Sequence, residues 1–348
     1  MSIKSIAGKT RAYALDGLVW VCLCILLSTG FKNAQAVSEC FNGMSLRFDS
    51  QISDEAAYQA RQYSIKSGGE NAFWPTFWRE ENTNVESGTA RINALCIYYS
   101  GNASSIWPSE FQSGSTPGVT DKSGIALSTA LASRLYGNSG IIGMSANIGD
   151  QAYTVRGIFA SDDYIALVSA GDMPASQAWS AVELTGGGEN ATKEEAASYA
   201  ISSGLGSADA LITQAPASFA AFMANIPVYI MACYALGMLL GLFGKASRTA
   251  KSIGFYSLLL AFALLLPSLL NKLPEWMIPS KWSDFAFWQG LASNFSQAVK
   301  EYLRRPPSMR DSIGFSLLAK QAAISFASSM FALAACLRWP RRDRRQHG

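Results

Sequence analysis

Histidine is almost missing from this chain. The single one among 348 residues, His347, stands one residue from the C-terminus. A Ser-His-Asp triad, an HExxH zinc site and a His-assisted cysteine nucleophile each need an imidazole placed inside a fold, so all three are excluded. The phosphate-cradling loop Gly-x-x-x-x-Gly-Lys-Ser/Thr is absent too. Gly244-Lys245 is followed by Ala246, and Leu239 occupies the place of the first glycine. Any ATP hydrolysis must therefore come from another chain. Cysteine is scarce: of six, Cys22, Cys24, Cys233 and Cys336 lie in apolar runs, which leaves Cys40 and Cys96. Acidic pairs such as Asp162-Asp163 and Glu80-Glu81 can hold a cation, but solvated turn residues are the commoner use of such pairs. The sequence predicts no catalytic residue, no cofactor, no metal site and no enzyme.

What the chain does have is apolar runs. Four are separated by polar stretches: between Asp16 and Lys32, after Asp209 and before Lys245, from Ser252 to Asn271, and from Gln321 to Leu337. A hydrocarbon core about 30 Å thick needs about 20 apolar residues at 1.5 Å rise each. The second and third runs meet that length without a charge. The fourth borrows residues from Ile313–Ala319. The first is open to two readings. Its uncharged part, Gly17 to Phe31, resembles a signal-peptide core, and Ala34-Gln35-Ala36 has the small-x-small form of a cleavage site. Read instead as an anchor, it begins near Ala12 and stays.

Basic residues orient these spans. Lys4, Lys9 and Arg11 precede the first run, and Lys245, Arg248 and Lys251 join the second to the third. Arg338, Arg341, Arg342, Arg344 and Arg345 follow the fourth. Four crossings put all three clusters on one side, which the positive-inside rule makes the cytoplasm. The external loop 272–311 runs against this, because it holds Lys281, Lys300, Arg304, Arg305 and Arg310. Residues 37–216 carry nine Lys and Arg against nineteen Asp and Glu. The large domain is thus acidic and the rest basic, a split that answers to membrane lipid rather than to nucleic acid.

The expected organisation is a cytoplasmic tail (1–16), a signal peptide or transmembrane anchor (17–36) and an extracytoplasmic α+β domain (37–216). A span (217–243), a cytoplasmic hairpin (244–252) and a second span (253–271) follow. An external loop (272–311), a last span (312–338) and a basic tail (339–348) complete it. Within the exported domain, Ser53 opens a helix through Lys66 that Gly68-Gly69 stops. Ser128 caps a second helix ending at Gly137. Strands are expected at 90–99, 125–127, 144–148, 151–159, 164–169 and 178–184, with Gly149-Asp150 as a hairpin turn. Thr192-Lys193-Glu194-Glu195 is a capping box. In an oxidising compartment Cys40 and Cys96 are candidates for one disulfide; two thiols is the alternative.

The stretch Gly124–Phe159 carries a resemblance. It reads Ile125-Ala-Leu-Ser128, Ala130-Leu-Ala-Ser-Arg-Leu-Tyr-Gly137, Ile141-Ile-Gly143 and Tyr153-Thr-Val-Arg-Gly-Ile-Phe159. This resembles the periplasmic core domain of MacB/FtsX-type ABC permeases, in which a strand, a helix, an Ile-Gly loop and a "yTVvGI" strand follow in that order. The layout of one span, an ectodomain and three further spans is similar as well. The resemblance implies a permease-like subunit in the cell membrane of a bacterial envelope. It would act as a homodimer with a separate ABC ATPase that touches Lys245, Arg248 and Lys251. In the family the connection after the second span is usually longer and Arg/Glu-rich, whereas Gly244–Ile253 has no acidic residue. A non-transporting sensor or assembly factor is the other expectation.

Three further features bear on the membrane part. Gly237, Gly241 and Gly244 put small residues on one helix face, for packing within the chain or for dimerisation. Trp276, Trp282 and Trp288 mark an amphipathic segment of the external loop suited to the membrane interface. Lys320 stands at the edge of the last run, where it either snorkels to the interface or faces a polar cavity.

Overall fold

The structure is a computed structural model. It describes residues 3–69, 71–107, 111–118, 120–138, 140–170, 178–188, 191–243 and 308–346, together with isolated positions between 252 and 293. The chain divides into two compact units: Cys40–Gln214, and the apolar helices on either side of it.

The first unit is α+β and built on one ten-stranded sheet among the described residues. After the N-terminal helix α1 (Ile3–Cys40) come β1 (Met44–Ile52), α2 (Asp54–Lys66), β2 (Phe73–Ser87), β3 (Ala90–Ser100), β4 (Phe111–Gly114) and β5 (Gly124–Ser128). Then follow α3 (Thr129–Tyr136), β6 (Ser145–Ile148), β7 (Gln151–Phe159), β8 (Ile165–Ser169), β9 (Trp179–Gly186), α4 (Lys193–Ser202) and β10 (Ala210–Ile212).

The helices form where local chemistry dictates. Ser53 accepts the Ala56 amide at the start of α2, and Ser128 accepts that of Leu131 at the start of α3. At α4 the Thr192 hydroxyl and the Glu195 carboxylate cap reciprocally. Each cap satisfies donors that the first turn of a helix leaves bare. Gly137 ends α3 at φ +69°, a left-handed position that glycine adopts at least cost.

The strand order is β10-β1-β9-β2-β3-β8-β5-β7-β4, and β6 pairs with both β2 and β7. Following those pairings, β2, β3, β8, β5, β7 and β6 close into a ring. The fifteen residues of β2 make this possible. Its first half pairs with β9 (Phe73↔Gly186 to Trp78↔Ala181), while Val85 and Glu86 pair with β6 at the other end. One edge of a single strand thus serves two neighbours.

One face of the sheet and the helices α2, α3 and α4 enclose the main core, which includes Leu46, Phe77, Val85, Ile125, Leu127, Leu131, Val155 and Val182. Side chains alternate along a strand, so the remaining positions bury a second set on the opposite face. Trp78, Ile97, Tyr99, Leu167 and Phe159 are all buried there, and Trp107 packs on Phe159 with ring centroids 5.4 Å apart.

The second unit contains three helices long and apolar enough to cross a membrane among the described residues. They are Asp16–Cys40 within α1, Ala215–Met238 within α5 (Ala215–Phe243), and Met309–Arg338 within α6 (Met309–Gln346). The chain is a multi-pass membrane protein. Of the expected span 253–271 only the isolated positions Tyr256, Leu259, Leu260 and Ala263 are among the described residues, each of them helical.

The expected disulfide does not form. Cys40 and Cys96 are both buried thiols. Cys40 ends α1 and leads into β1, whereas Cys96 sits in β3 opposite Glu81 of β2. Strands β9 and β2 lie between β1 and β3. Three strand spacings amount to about 14 Å, while a disulfide needs Cα atoms within about 7 Å. Burial, with the Glu81 carboxylate adding to it, pushes the Cys96 thiol up to about 12. The thiolate is the reactive form, so Cys96 is inert in the folded protein. Peptide mapping without reductant is expected to return Cys40 and Cys96 on separate peptides, with Cys96 alkylated by maleimide only after denaturation. A crosslinked Cys40–Cys96 peptide would overturn the strand order given above.

Candidate functional site

The segment that carries the sequence resemblance turns out to be scaffold. The Ser128 hydroxyl donates to Asp163 O (2.7 Å) and accepts the amides of Leu131 and Ile165 (3.2 Å each), which ties β5, α3 and β8 at one point. Gly157 lies where β4 pairs antiparallel with β7, opposite Gly114; a Cβ there would stand 2.4 Å from Ser115 O and 2.7 Å from the Phe111 ring. Strand β5 runs parallel to β7, with α3 in the connection between them. These positions hold the ring together and present no reactive group.

Two polar clusters stand out in the α+β unit. In the first, the Glu183 carboxylate is buried and its Oε1 accepts from Ser45 Oγ (2.5 Å), Arg47 Nη1 (3.0 Å) and Trp78 Nε1 (3.1 Å). The Arg47 guanidinium lies over the Trp78 ring, 4.6 Å from its centroid, and also donates to Ser45 Oγ. Strands β1, β9 and β2 are adjacent, so one charge is neutralised across three strands. In the second, Arg79 pairs with Glu81 (3.1 Å) and covers the Tyr98 ring at 4.6 Å. Tyr98 and Tyr153 are buried beside Cys96, and burial, first among the causes, raises both phenols, Tyr153 to about 12. Both clusters tie neighbouring strands together through ion pairs and stacked guanidinium groups, a structural chemistry. Among the described residues no group of three or more His, Cys, Asp or Glu is placed to hold a metal ion.

The membrane helices hold a site that sequence reasoning passed over. The Asn33 amide of α1 donates to Leu317 O (2.9 Å) and to Gln321 Oε1 (3.0 Å) of α6. Gln321 in turn donates to Ser325 Oγ (3.1 Å). Gly30 faces Ile324, whose side chain would stand 3.3 Å from an added Cβ. At the other end Asp16 meets Arg338 at 3.6 Å. Asn33 and Asp16 are seventeen residues apart, as are Gln321 and Arg338, so the two helices run antiparallel and meet at points about 25 Å apart. Gln321 has no exposed surface, and Asn33, Ser325 and Ser328 are buried with it. Polar side chains at i, i+4 and i+7 within an apolar run were the available signal. Small and polar residues at a helix interface let backbones approach and supply hydrogen bonds that lipid cannot.

The residues expected to matter fall as follows. Gly237 is exposed on α5 with no described atom within 4 Å of an added Cβ. Gly241 is in the same helix, and Gly244 lies outside the described residues. Within the described part, α5 packs on α6 instead, where Ala220, Ala224, Ala332 and Ala335 are buried. Lys320 is exposed on α6 beside the buried Gln321. Lys245, Arg248, Lys251, Trp276, Trp282 and Trp288 lie outside the described residues.

No protein-family model matches the chain. No curated protein matches it either. Among solved structures it is similar to the extracellular domain of the noncanonic ABC-type transporter YknZ from Gram-positive bacteria, at 13% identity and TM-score 0.40, covering 49% of this chain and 97% of that one. It is similar to the periplasmic region of MacB from Actinobacillus actinomycetemcomitans, at 8% identity and TM-score 0.42, over 51% and 92%. A domain of a permease protein from Porphyromonas gingivalis is similar at 14% identity and TM-score 0.34, over 46% and 77%. The basic residues that flank the membrane helices, weighed by the positive-inside rule, make the segment between α1 and α5 extracytoplasmic.

Proposed function

We propose that this chain is the permease-like membrane subunit of a MacB/FtsX-type ABC system, acting as a homodimer with a separate ATPase. The observation that carries the reading is the order of elements in 124–159: strand, capped helix ending at Gly137, Ile-Gly loop, and the strand around Gly157, in an insert after the first membrane helix. With no phosphate-binding loop of its own, the chain would receive ATP-driven motion at the Gly244–Ile253 hairpin. The α1–α6 contacts favour α1 as a retained anchor. Its helix also continues through Ala34-Gln35-Ala36, where Ala34 is buried and Val37 fully so.

Affinity purification of the intact protein from mild detergent, with co-purifying chains identified by mass spectrometry, tests this. A stoichiometric ATPase is expected, and the triple variant Lys245→Glu, Arg248→Glu, Lys251→Glu is expected to lose it. Absence of any ATPase, under conditions that keep a control ABC complex together, overturns the transporter reading. The second reading, a membrane-anchored sensor or assembly factor with the same ectodomain, is favoured by the absence of acidic residues from Gly244–Ile253. It requires normal function without an ATPase.

A further inference from the structure

A cleft of about 440 Å³ opens between the C-terminal end of α2 and α4, clear of both polar clusters described above. Its floor is aromatic. Tyr199 meets Tyr63 edge-on at 5.8 Å between centroids and Phe73 at 5.5 Å. The Tyr199 hydroxyl is tied to Ser64 Oγ (2.7 Å) and Ala60 O (3.1 Å), so the ring is fixed before anything binds. Tyr63 is exposed and offers its ring to solvent. The wall contributed by α4 carries Glu194, Glu195 and Ser198, and among the described residues no basic side chain lines the cleft. Glu195 is held in place by the Thr192 amide at 2.8 Å.

The sign of the charge decides what fits. The N-terminus of a helix is worth about half a positive charge, and α4 brings one to this wall, but two carboxylates outweigh it. An anion would meet net repulsion. A cation would meet two carboxylates and the exposed Tyr63 ring, and aromatic rings attract ammonium and guanidinium groups. The surrounding domain reinforces that preference, since residues 37–216 hold nineteen acidic against nine basic residues and so draw cations toward their surface. Apolar ring surface at the floor asks in addition for an apolar body behind the charge.

We infer that this cleft binds an organic cation carried on an apolar stem. The lysine or arginine side chain of a peptide has that chemistry, and so has a free quaternary amine. The inference stands on the cleft alone and holds whether or not the chain works with an ATPase.

Equilibrium dialysis of the full chain in detergent tests it with three probes: benzyltrimethylammonium, acetyl-Leu-Lys-Leu-amide, and the same peptide with norleucine in place of lysine. Saturable one-site binding of at least one cationic probe is expected, with the norleucine peptide excluded. Binding of the quaternary amine alone would identify the ligands as free cations; binding of the lysine peptide alone would identify them as basic peptide segments. Glu194→Gln, at an exposed position, is expected to weaken binding about two- to fivefold. Ser198→Arg places a guanidinium in the cleft and is expected to abolish binding while the circular dichroism spectrum is unchanged. The proposal fails if neither cation saturates, if the norleucine peptide binds as tightly, or if Ser198→Arg leaves binding intact.

Discussion

Glu183→Ala is expected to lower the unfolding free energy of the α+β unit by about 3–5 kcal/mol, the usual cost of breaking a buried ion pair by removing one partner. The arithmetic is local. Glu183 Oε1 receives three donors, from Ser45, Arg47 and Trp78, and the side chains of Arg47 and Glu183 are only 12% and 2% exposed. Losing the carboxylate takes the Glu183 ion pair from the Arg47 guanidinium held against Trp78 and removes the acceptor of the buried Trp78 indole N–H. Such orphaned donors cost about 1–3 kcal/mol each. The double variant Arg47→Leu, Glu183→Leu is expected to be less destabilised than Glu183→Ala, because it removes both charges together. Denaturant melts of the detergent-solubilised chain, followed by tryptophan fluorescence, measure both. A Glu183→Ala loss below about 1 kcal/mol would show that the network is not neutralised as described.

The second large effect concerns α1. Intact-mass measurement of the purified chain is expected to show that residues 1–36 are retained. A variant beginning at Val37 behind a foreign cleavable signal is expected to fail to accumulate in the membrane. Gln321 would then lose the Asn33 amide, and α6 would lose the helix that covers its buried polar face. The single change Asn33→Leu is milder. It removes two hydrogen bonds, and interhelical bonds in membranes are worth about 0.6–2 kcal/mol each, so a lower melting temperature is expected with the chain still inserted. A mature protein starting at Val37, stable and correctly inserted, would sink the retained-anchor reading.

Much of the local architecture was legible because its signals act within one turn of helix or one hairpin. The caps at Ser53, Ser128 and Thr192 are contacts between residues three apart, and each appears in the structure where the sequence places it. Strand β2 was not legible. Its middle, Arg79-Glu80-Glu81-Asn82-Thr83-Asn84, has no apolar alternation, and it is a strand because β3 pairs with it along its length while β9 and β6 take its other edge. Strand β1 was missed for a related reason: Ser45 and Arg47 look like surface positions until Glu183 is brought opposite Ser45 in the next strand. The disulfide expectation failed on the same ground, since counting cysteines cannot tell that β9 and β2 come between β1 and β3.

For this protein, then, the sequence alone determined what depends on composition and short range. It set the length of the apolar runs, the side on which basic residues collect, the helix caps and the class of the inserted domain. Tertiary structure decided what depends on which distant segments become neighbours. Asn33 meets Gln321 across 288 positions and Ser45 meets Glu183 across 138. No local period encodes such meetings, because strand order and helix packing are settled by burying the whole core at once, and the polar groups caught inside must then find one another.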